Sequence, residues 1–196
     1  MIKFVNVSLS LGGKTVLDSV SFELPERGAF ALTGPSGCGK TTLTRILLGL
    51  ERGYTGSVLG LDGLRIAAVF QEDRLLPWLS ARQNVAAVLP RGEPPEKWLA
   101  LVGLDAEAEK PPQDLSGGMR RRVAIARALA FAELRDAGML LLDEPFTGLD
   151  DALKADIIAK LNALCSEKLI LFVTHDEREI ELMHAEKLGV FPASPA

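Results

Sequence analysis

The stretch GPSGCGKTT, residues 34–42, restricts the fold of this chain more than any other part of its sequence. Glycine and proline at this density do not suit the interior of a packed helix or strand. Yet the stretch lies between a short apolar run, GAFALTG at 28–34, and a helix-like run, KTTLTRILLGL at 40–50. A strand that turns through glycines into a helix directs backbone N–H groups and the positive end of the helix at one point. We therefore predict a loop that binds phosphate groups.

The spacing within the loop supports this interpretation. Gly34-x-x-x-x-Gly39-Lys40-Thr41 is the phosphate-binding loop pattern. Lys40 would bring a positive charge to the β- and γ-phosphates, and Thr41 would offer its hydroxyl to Mg²⁺. A glycine-rich turn that happens to contain a lysine is the alternative, and the order strand, loop, helix argues against it. The pattern alone indicates only that a nucleotide is bound.

Apolar runs alternate with helical stretches along the chain, which predicts a mostly parallel sheet. We predict central strands at 65–70, 138–143 and 168–174, and helices at 117–132 and 151–164. VSFEL at 20–24 alternates like a half-buried strand, after a hairpin turn at 12–14. The proline-rich part from 72 to 114 breaks the alternation, and we interpret it as a mainly helical insertion rather than a second domain.

Composition excludes several classes of protein. With 196 residues and 47% hydrophobic residues, the chain suits one domain with a real core. Its net charge of −4 does not favour nucleic acid, and its two cysteines form neither a disulfide framework nor a zinc site, which favours a reducing cytosol. No apolar run approaches the roughly 18 residues that span a bilayer, and MIKFVNVSLS does not resemble a signal peptide. Any membrane role is therefore expected to come through a partner.

A pair of carboxylates follows the apolar run GMLLLD. Successive residues at the end of a strand point in different directions. Asp143 could therefore hold Mg²⁺ through water while Glu144 faces the γ-phosphate and polarises an attacking water. A solvated acidic turn is the alternative interpretation.

A second glycine-rich helix start lies at residues 116–118. Ser116 is a good N-cap, and Gly117 and Gly118 leave bare N–H groups beside a helix dipole, which suits an anion. Since the first loop already binds the phosphates, this second start is redundant unless it serves the nucleotide of another chain. The pattern thus favours a head-to-tail dimer with ATP between the two chains, although Ser-Gly-Gly could simply cap a helix.

GPSGCGKTT, LSGGMRRRVAIARAL (115–129) and LLLDEPFTGLD (140–150), in this order, resemble the nucleotide-binding subunit of ABC transporters. The resemblance implies an α/β fold of the P-loop NTPase type: a RecA-like, mostly parallel sheet core, a small antiparallel β subdomain and a helical insertion subdomain. It implies one ABC ATPase domain over 1–196, with the insertion at about 72–130. No added regulatory domain is expected after the final histidine motif.

The resemblance also assigns roles to single residues. Gln71 would sense Mg²⁺ and the attacking water, His175 would be the switch histidine, and 148–150 would be the loop that communicates between subunits. The implied catalytic residues are Glu144, His175 and Gln71, and the implied Mg²⁺ ligands are Thr41, Gln71 and Asp143. The implied ATP contacts are Leu11, Gly34, Pro35, Ser36, Gly37, Cys38, Gly39, Lys40, Thr41, Thr42, Ser116, Gly117 and Gly118. Leu11 stands where the family usually has an aromatic residue that stacks on adenine, so we expect weaker stacking.

Partners follow from the resemblance as well. It implies a transmembrane permease, a solute-binding protein and a second ATP-binding subunit, with no nucleic acid, at the cytoplasmic face of the cell membrane. VFQEDRLLPW (69–78) is similar to importer subunits for nitrate, sulfonate and taurine, and its exposed apolar cluster of Leu75, Leu76 and Trp78 would dock the permease unless it is buried. A soluble ABC ATPase and a simple P-loop kinase or GTPase are the alternatives. We interpret the arginines at 120–122 and 127 as a solvated helix face with local salt bridges.

Overall fold

The computed structural model describes residues 1–188; the last eight residues of the predicted 1–196 domain lie outside the described residues. The strands are β1 Ile2–Leu11, β2 Lys14–Leu24, β3 Gly28–Leu32, β4 Thr55–Leu59, β5 Ile66–Val69, β6 Met139–Asp143, β7 Leu169–Val173 and β8 Glu186–Leu188. The α-helices are α1 Lys40–Leu47, α2 Ala81–Ala86, α3 Glu96–Leu101, α4 Gly117–Leu134, α5 Asp151–Leu164 and α6 Glu177–Leu182. Short 3₁₀ helices lie at Asp105–Glu107 and Pro112–Asp114.

The centre of the fold is a five-stranded parallel sheet with the order β5-β6-β7-β3-β8. Every residue of β6 and β7 is buried, as their continuous apolar sequences predict for strands that are covered on both faces. Their side chains alternate between two apolar cores. Leu140 and Leu142 of β6 face the helical side, while Met139 and Leu141 face the antiparallel sheet.

A three-stranded antiparallel sheet, β2-β1-β4, covers one face of the parallel sheet. β1 and β2 form a hairpin in which Leu11 pairs with Lys14, so the predicted turn at Gly12 and Gly13 is confirmed. Inward side chains of this sheet pack with α1 and the parallel strands, which fixes the hairpin next to the phosphate-binding loop. The predicted α/β architecture, with its parallel core, small antiparallel sheet and helical part, is confirmed.

The other face of the parallel sheet is covered by helices, including α2, α3 and α4. α4 is apolar over most of its circumference, which is typical of a buried helix, and Trp98 of α3 is one of the largest fully buried side chains. No helix in the described part of the chain has both the length and the apolar character needed to cross a membrane.

The prediction of a solvated face on α4 is wrong for Arg121, whereas the predicted local salt bridges are confirmed: Arg120 Nε lies 3.7 Å from Asp73 Oδ2, and Arg121 Nε lies 3.3 Å from Asp73 Oδ1. Arg121 is only 7% exposed. The guanidinium groups of Arg120, Arg121, Arg122 and Arg127 all donate hydrogen bonds to backbone carbonyls. These carbonyls lie in irregular segments beside α4, where sheet and helix ladders offer no partners and another donor is needed. The arginines therefore attach loops to the helix, and of the four only Arg121 is buried while doing so.

Candidate functional site

The C-terminal ends of the parallel strands surround one cavity, as expected for the ligand site of an open α/β sheet. Its volume is about 330 Å³. β3 leads into the phosphate-binding loop, β5 into Gln71, β6 into Glu144 and β7 into His175. The lining residues are Val16, Ser36, Gly37, Gly39, Lys40, Thr41, Thr42, Gln71, Glu144, Val173 and His175.

The loop before α1 has the geometry that its glycines predict. Gly39 is the N-cap of α1 with φ of 96°, and it makes no side-chain cap hydrogen bond. A Cβ at Gly39 would lie 2.6 Å from Leu17 Cδ2 and 3.0 Å from Val16 O, so the hairpin leaves room only for glycine. Because Gly39 has no side chain that could cap the helix, the first N–H groups of α1 lack a side-chain partner, and the first residues of α1 line the cavity.

Lys40 is folded back over its own loop. Its Nζ donates to Gly34 O at 2.7 Å and to Pro35 O at 2.9 Å, and the residue is only 7% exposed. Carbonyl dipoles thus hold a buried cation that has no carboxylate partner among the described residues. An anion in the cavity would meet a positive charge that is available to it. Cys38, beside the lysine, is buried and fits a small filler position.

The two predicted carboxylates lie in different surroundings. Asp143 is 5% exposed and lies next to the Thr41 hydroxyl. Burial first, and the neighbouring Glu144 second, raise the pKa of Asp143 above its ordinary value, although Thr41, Arg121 and Lys40 oppose the shift. A cation bound beside Asp143 would offset that cost of burying its charge.

Glu144 has a left-handed backbone conformation, with φ of 47°, which is uncommon for a residue other than glycine. Its N–H donates to Val173 O at 3.1 Å, and this contact holds the strained residue at the end of β6. Its side chain is about one-third exposed and lines the cavity. Strain of this kind often marks functional positions, because the surrounding structure must maintain it.

His175 stands across from Glu144. Its Nε2 is 3.7 Å from Glu144 Oε1, too far for a direct hydrogen bond but close enough for both groups to contact one small ligand. The loop that carries His175 is supported from behind by buried Lys154, which pairs with Asp176 at 2.8 Å and Glu179 at 3.0 Å. Hydrogen bonds and ion pairs therefore hold the backbone on both sides of the cavity, at Glu144 and at His175.

The second glycine-rich start does not reach this cavity. Ser116 is the N-cap of α4, where its Oγ accepts from Met119 N at 3.2 Å. A Cβ at Gly118 would lie 2.9 Å from Gly148 O, so packing within the chain explains that glycine. A Cβ at Gly117 would meet only the tip of Arg120, at 3.8 Å, so packing within the described chain does not explain Gly117. Ser116, Gly117 and Gly118 are absent from the cavity lining.

The structure also distinguishes residues that the sequence did not. Leu11 is 45% exposed at the tip of β1 and does not line the cavity, whereas Val16, five positions further along the same hairpin, does. Val173 lines it as well. Sequence reasoning missed both valines because each resembles an ordinary strand residue. Gly34, Pro35, Cys38 and Asp143 are not among the lining residues.

The donor set suits a hard divalent cation only if a ligand completes it. Within residues 1–188, no group of three or more His, Cys, Asp or Glu could hold a metal ion. A hydroxyl from Thr41, a carboxylate from Asp143 and an amide from Gln71 are oxygen donors of the kind Mg²⁺ prefers, usually together with substrate phosphates. The residues present therefore fit a magnesium–nucleotide complex, not a free metal site.

The parallel sheet, the glycine-rich loop before α1, the acidic strand end and the facing histidine agree with the class of protein that the sequence motifs resemble, the ATP-binding cassette. The family model described as "ABC transporter" matches residues 17–147. The chain therefore belongs to the ABC transporter family and is an ABC ATPase.

Curated relatives and a solved structure agree with this family. The aliphatic sulfonates import ATP-binding protein SsuB of Bacillus anthracis is 40% identical over 198 residues, covering 94% of this chain and 76% of that protein. SsuB 2 of Pseudomonas syringae pv. tomato is 42% identical over 176 residues, covering 87% and 73%. The dimeric post-hydrolysis structure of the ATP-binding cassette MJ0796, bound to ADP and Pi, matches with a TM-score of 0.79 and 29% identity, covering 96% of this chain and 94% of that one. The resemblance to the sulfonate-type importer subfamily is confirmed.

Proposed function

We propose that this chain powers the import of a small solute through a partner permease, by binding and hydrolysing ATP. The observation that carries the proposal is one cavity in which Lys40, Glu144 and His175 meet, while the start of α4 lies outside it. The first three supply the charge and the base for hydrolysis within one chain. The start of α4 remains available to the nucleotide of a second chain.

The chemistry within the cavity follows from where each group lies. Lys40 and the N–H groups at the start of α1 hold the β- and γ-phosphates, and Thr41, Asp143 and Gln71 would hold Mg²⁺. Mg²⁺, when bound, supplies further positive charge to the phosphate oxygens. Glu144 orients and deprotonates water, and His175 contacts the γ-phosphate from the opposite side. Phosphoryl transfer depends mainly on this positioning and charge.

The second ATP-binding subunit is the first partner we propose. Gly117 has bare backbone and open space on its own chain, which suits the γ-phosphate held by a facing subunit. The similar MJ0796 structure, a dimer with ADP and Pi, supports this arrangement. Each ATP would lie between Lys40 of one chain and Ser116 of the other. ATP would favour the closed pair through its higher affinity for that state.

The permease is the second partner, and Trp78 is the residue we propose for its contact. Trp78 is 74% exposed, whereas Leu75 and Leu76 are half-buried and Leu75 packs on the helical core. Of the large hydrophobic side chains in residues 1–188, that of Trp78 is the most exposed, and aromatic residues are enriched at protein interfaces. It follows Gln71 by a few residues, so docking there would be close to the nucleotide. Through this partner the chain would lie at the cytoplasmic face of the membrane.

For the cargo we propose a small oxyanion of the aliphatic sulfonate class, delivered by a solute-binding protein. Support comes from the relatives, which are named for the import of aliphatic sulfonates. A strain without this gene should grow poorly on an aliphatic sulfonate as its sulfur source, and the wild-type gene should restore growth. A Glu144→Gln gene should not. Equal growth of all strains on sulfonates would contradict this cargo.

Co-purification tests the assembly. A tagged chain, extracted from native membranes in detergent, should retain a multi-spanning permease. Trp78→Ser should lose it, while Leu50→Ser, which replaces a distant residue that is 49% exposed, should retain it. Ribosomes or DNA in place of a permease would favour the soluble ABC ATPase. Phosphate transfer to a small acceptor would favour a P-loop kinase.

A further inference from the structure

Arg121 connects α4 to the edge of the nucleotide cavity. It lies on the second turn of the helix that begins with Gly117, and it bonds to the segment that contains the cavity residue Gln71. Its Nη1 donates to Phe70 O at 2.5 Å, and its Nη2 donates to the carbonyl of Gln71 itself. Its Nε lies 3.3 Å from Asp73 Oδ1. All three guanidinium nitrogens therefore contact residues 70–73.

Side chains of α4, and not backbone pairing, hold this segment. β5 ends at Val69, so residues 70–74 have left the ladder that fixes the sheet. Arg127, further along α4, donates to Asp73 O at 3.1 Å and to Arg74 O at 3.0 Å. Arg74, in turn, stacks over the ring of Phe70 at 4.1 Å. The loop after β5 is thus attached to α4 by side chains rather than by a backbone ladder.

The Gln71 side chain is exposed and lines the cavity, so its position depends on its backbone. Arg121 is the group that binds that backbone directly, and it is almost completely buried, so its planar fork has little freedom to move. A shift in the Gln71 carbonyl of even about 1 Å can cost a reaction two orders of magnitude when positioning dominates.

We propose that Arg121 is a positioning residue that holds Gln71 at the γ-phosphate side of the cavity. It does so by joining the loop after β5 to the helix that carries Ser116. A displacement of α4, such as docking of a second chain at Ser116 would cause, reaches Gln71 through this guanidinium. The inference rests on the proposed role of Gln71 in hydrolysis.

Steady-state ATP hydrolysis by Arg121→Gln, Gln71→Ala and the double variant tests the proposal. We expect each single variant to lower kcat about ten- to hundredfold, with the affinity for a fluorescent ATP analogue changed less than about threefold. The double variant should be no slower than Gln71→Ala alone, because once the Gln71 side chain is absent its positioning by Arg121 has no further effect on the reaction. Arg121→Lys should not restore kcat, since one ammonium cannot bridge two carbonyls and a carboxylate.

Arg135→Gln is the matched control. Arg135 follows the other end of α4, where its guanidinium donates to two successive carbonyls, Val88 O at 3.1 Å and Leu89 O at 3.3 Å. It should keep wild-type kcat even if its melting temperature falls. Additive losses in the double variant, or an equal loss of kcat in Arg135→Gln, would overturn the positioning role of Arg121 and leave the proposed function standing. Wild-type activity in Gln71→Ala would instead contradict the role of Gln71, and this inference with it.

Discussion

Two glycine-rich helix starts in this chain look alike in sequence and differ in structure. The start of α1 lies against the β1–β2 hairpin. It carries Lys40 and opens into a cavity that Glu144 and His175 also line. The start of α4 is capped by Ser116, and none of Ser116, Gly117 and Gly118 lines that cavity. The first is a nearly complete phosphate site, whereas the second has backbone donors and the Arg120 guanidinium beside Gly117 but lies apart from Lys40, Glu144 and His175.

A glycine at the start of a helix can be required by packing within its own chain or by contact with another molecule. Gly39 and Gly118 are required by neighbouring atoms of the same chain, because a Cβ at either position would clash. Gly117 meets no such constraint within the described residues. The surface of α4 beside Gly117 is where the nucleotide bound by a second chain would make contact.

The largest effect should come from the complete site. Glu144→Gln keeps the shape of the side chain but removes its basicity, so ATP hydrolysis should fall by about 10²- to 10⁴-fold. ATP binding should remain, because Lys40 and the loop are unchanged. A colorimetric phosphate assay and nucleotide titration measure both. Retention of more than about a tenth of the rate would remove Glu144 from its proposed role as base.

Alanine at the two glycines of α4 separates folding from assembly. Gly118→Ala places a Cβ 2.9 Å from Gly148 O and should destabilise the chain by about 1–3 kcal/mol, seen as a lower melting temperature. Gly117→Ala should leave stability unchanged or raise it by up to about 1 kcal/mol, since alanine favours the helix. It should nevertheless slow hydrolysis, because the added methyl group blocks a facing phosphate.

One result would contradict this contrast between the two helix starts. If Gly117→Ala hydrolyses ATP like the wild type over a range of protein concentrations, the surface beside Gly117 does not meet a nucleotide. The helix content and melting temperature of Gly117→Ala, compared with those of the wild type by circular dichroism, control for loss of the helix start.

Asp143→Asn should raise the stability of the fold and lower the rate of ATP hydrolysis. Burial raises the pKa of Asp143, so the folded chain binds this proton more tightly than the unfolded chain does. Stability contributed by this group is therefore lost as pH rises from the ordinary carboxyl pKa through the raised one. Without nucleotide or Mg²⁺, Asp143→Asn should melt at a higher temperature at neutral pH, lack this component of the pH dependence and hydrolyse ATP poorly. A lower melting temperature would show that the carboxylate stabilises the fold.

The smallest effect concerns the base of the nucleotide. Leu11→Tyr adds a ring at an exposed position outside the cavity lining, so we expect a gain in ATP affinity of no more than about 1 kcal/mol. The KM values for ATP and for GTP, measured for the wild type and for Leu11→Tyr, test this expectation. Equal KM values in the two proteins would exclude a role of Leu11 in base recognition.

Local patterns made much of the fold predictable. The strands at β5, β6 and β7 are continuous apolar runs, and the loop at 34–42 has a spacing with one evident use. Residues that follow parallel strands meet at one edge, so Gln71, Glu144 and His175 could be expected together. These inferences need only periodicity and chain order.

Long-range contacts were not predictable in this way. The arginines of α4 look like a hydrophilic face in sequence, because nothing local reveals that irregular carbonyls lie beside each one. Val16 and Leu11 both lie in the β1–β2 hairpin, yet only the fold shows which of them lines the cavity. Such contacts depend on tertiary placement, which the order of residues does not encode locally.

The composite pocket can be tested by the mass of Glu144→Gln in solution, measured by light scattering with saturating ATP and Mg²⁺. We predict two chains per particle with ATP, one chain without it, and one chain with ATP when Gly117→Glu is added, although that double variant still binds nucleotide. A particle of one chain under saturating ATP, or a pair that forms regardless of the change at Gly117, would contradict the account.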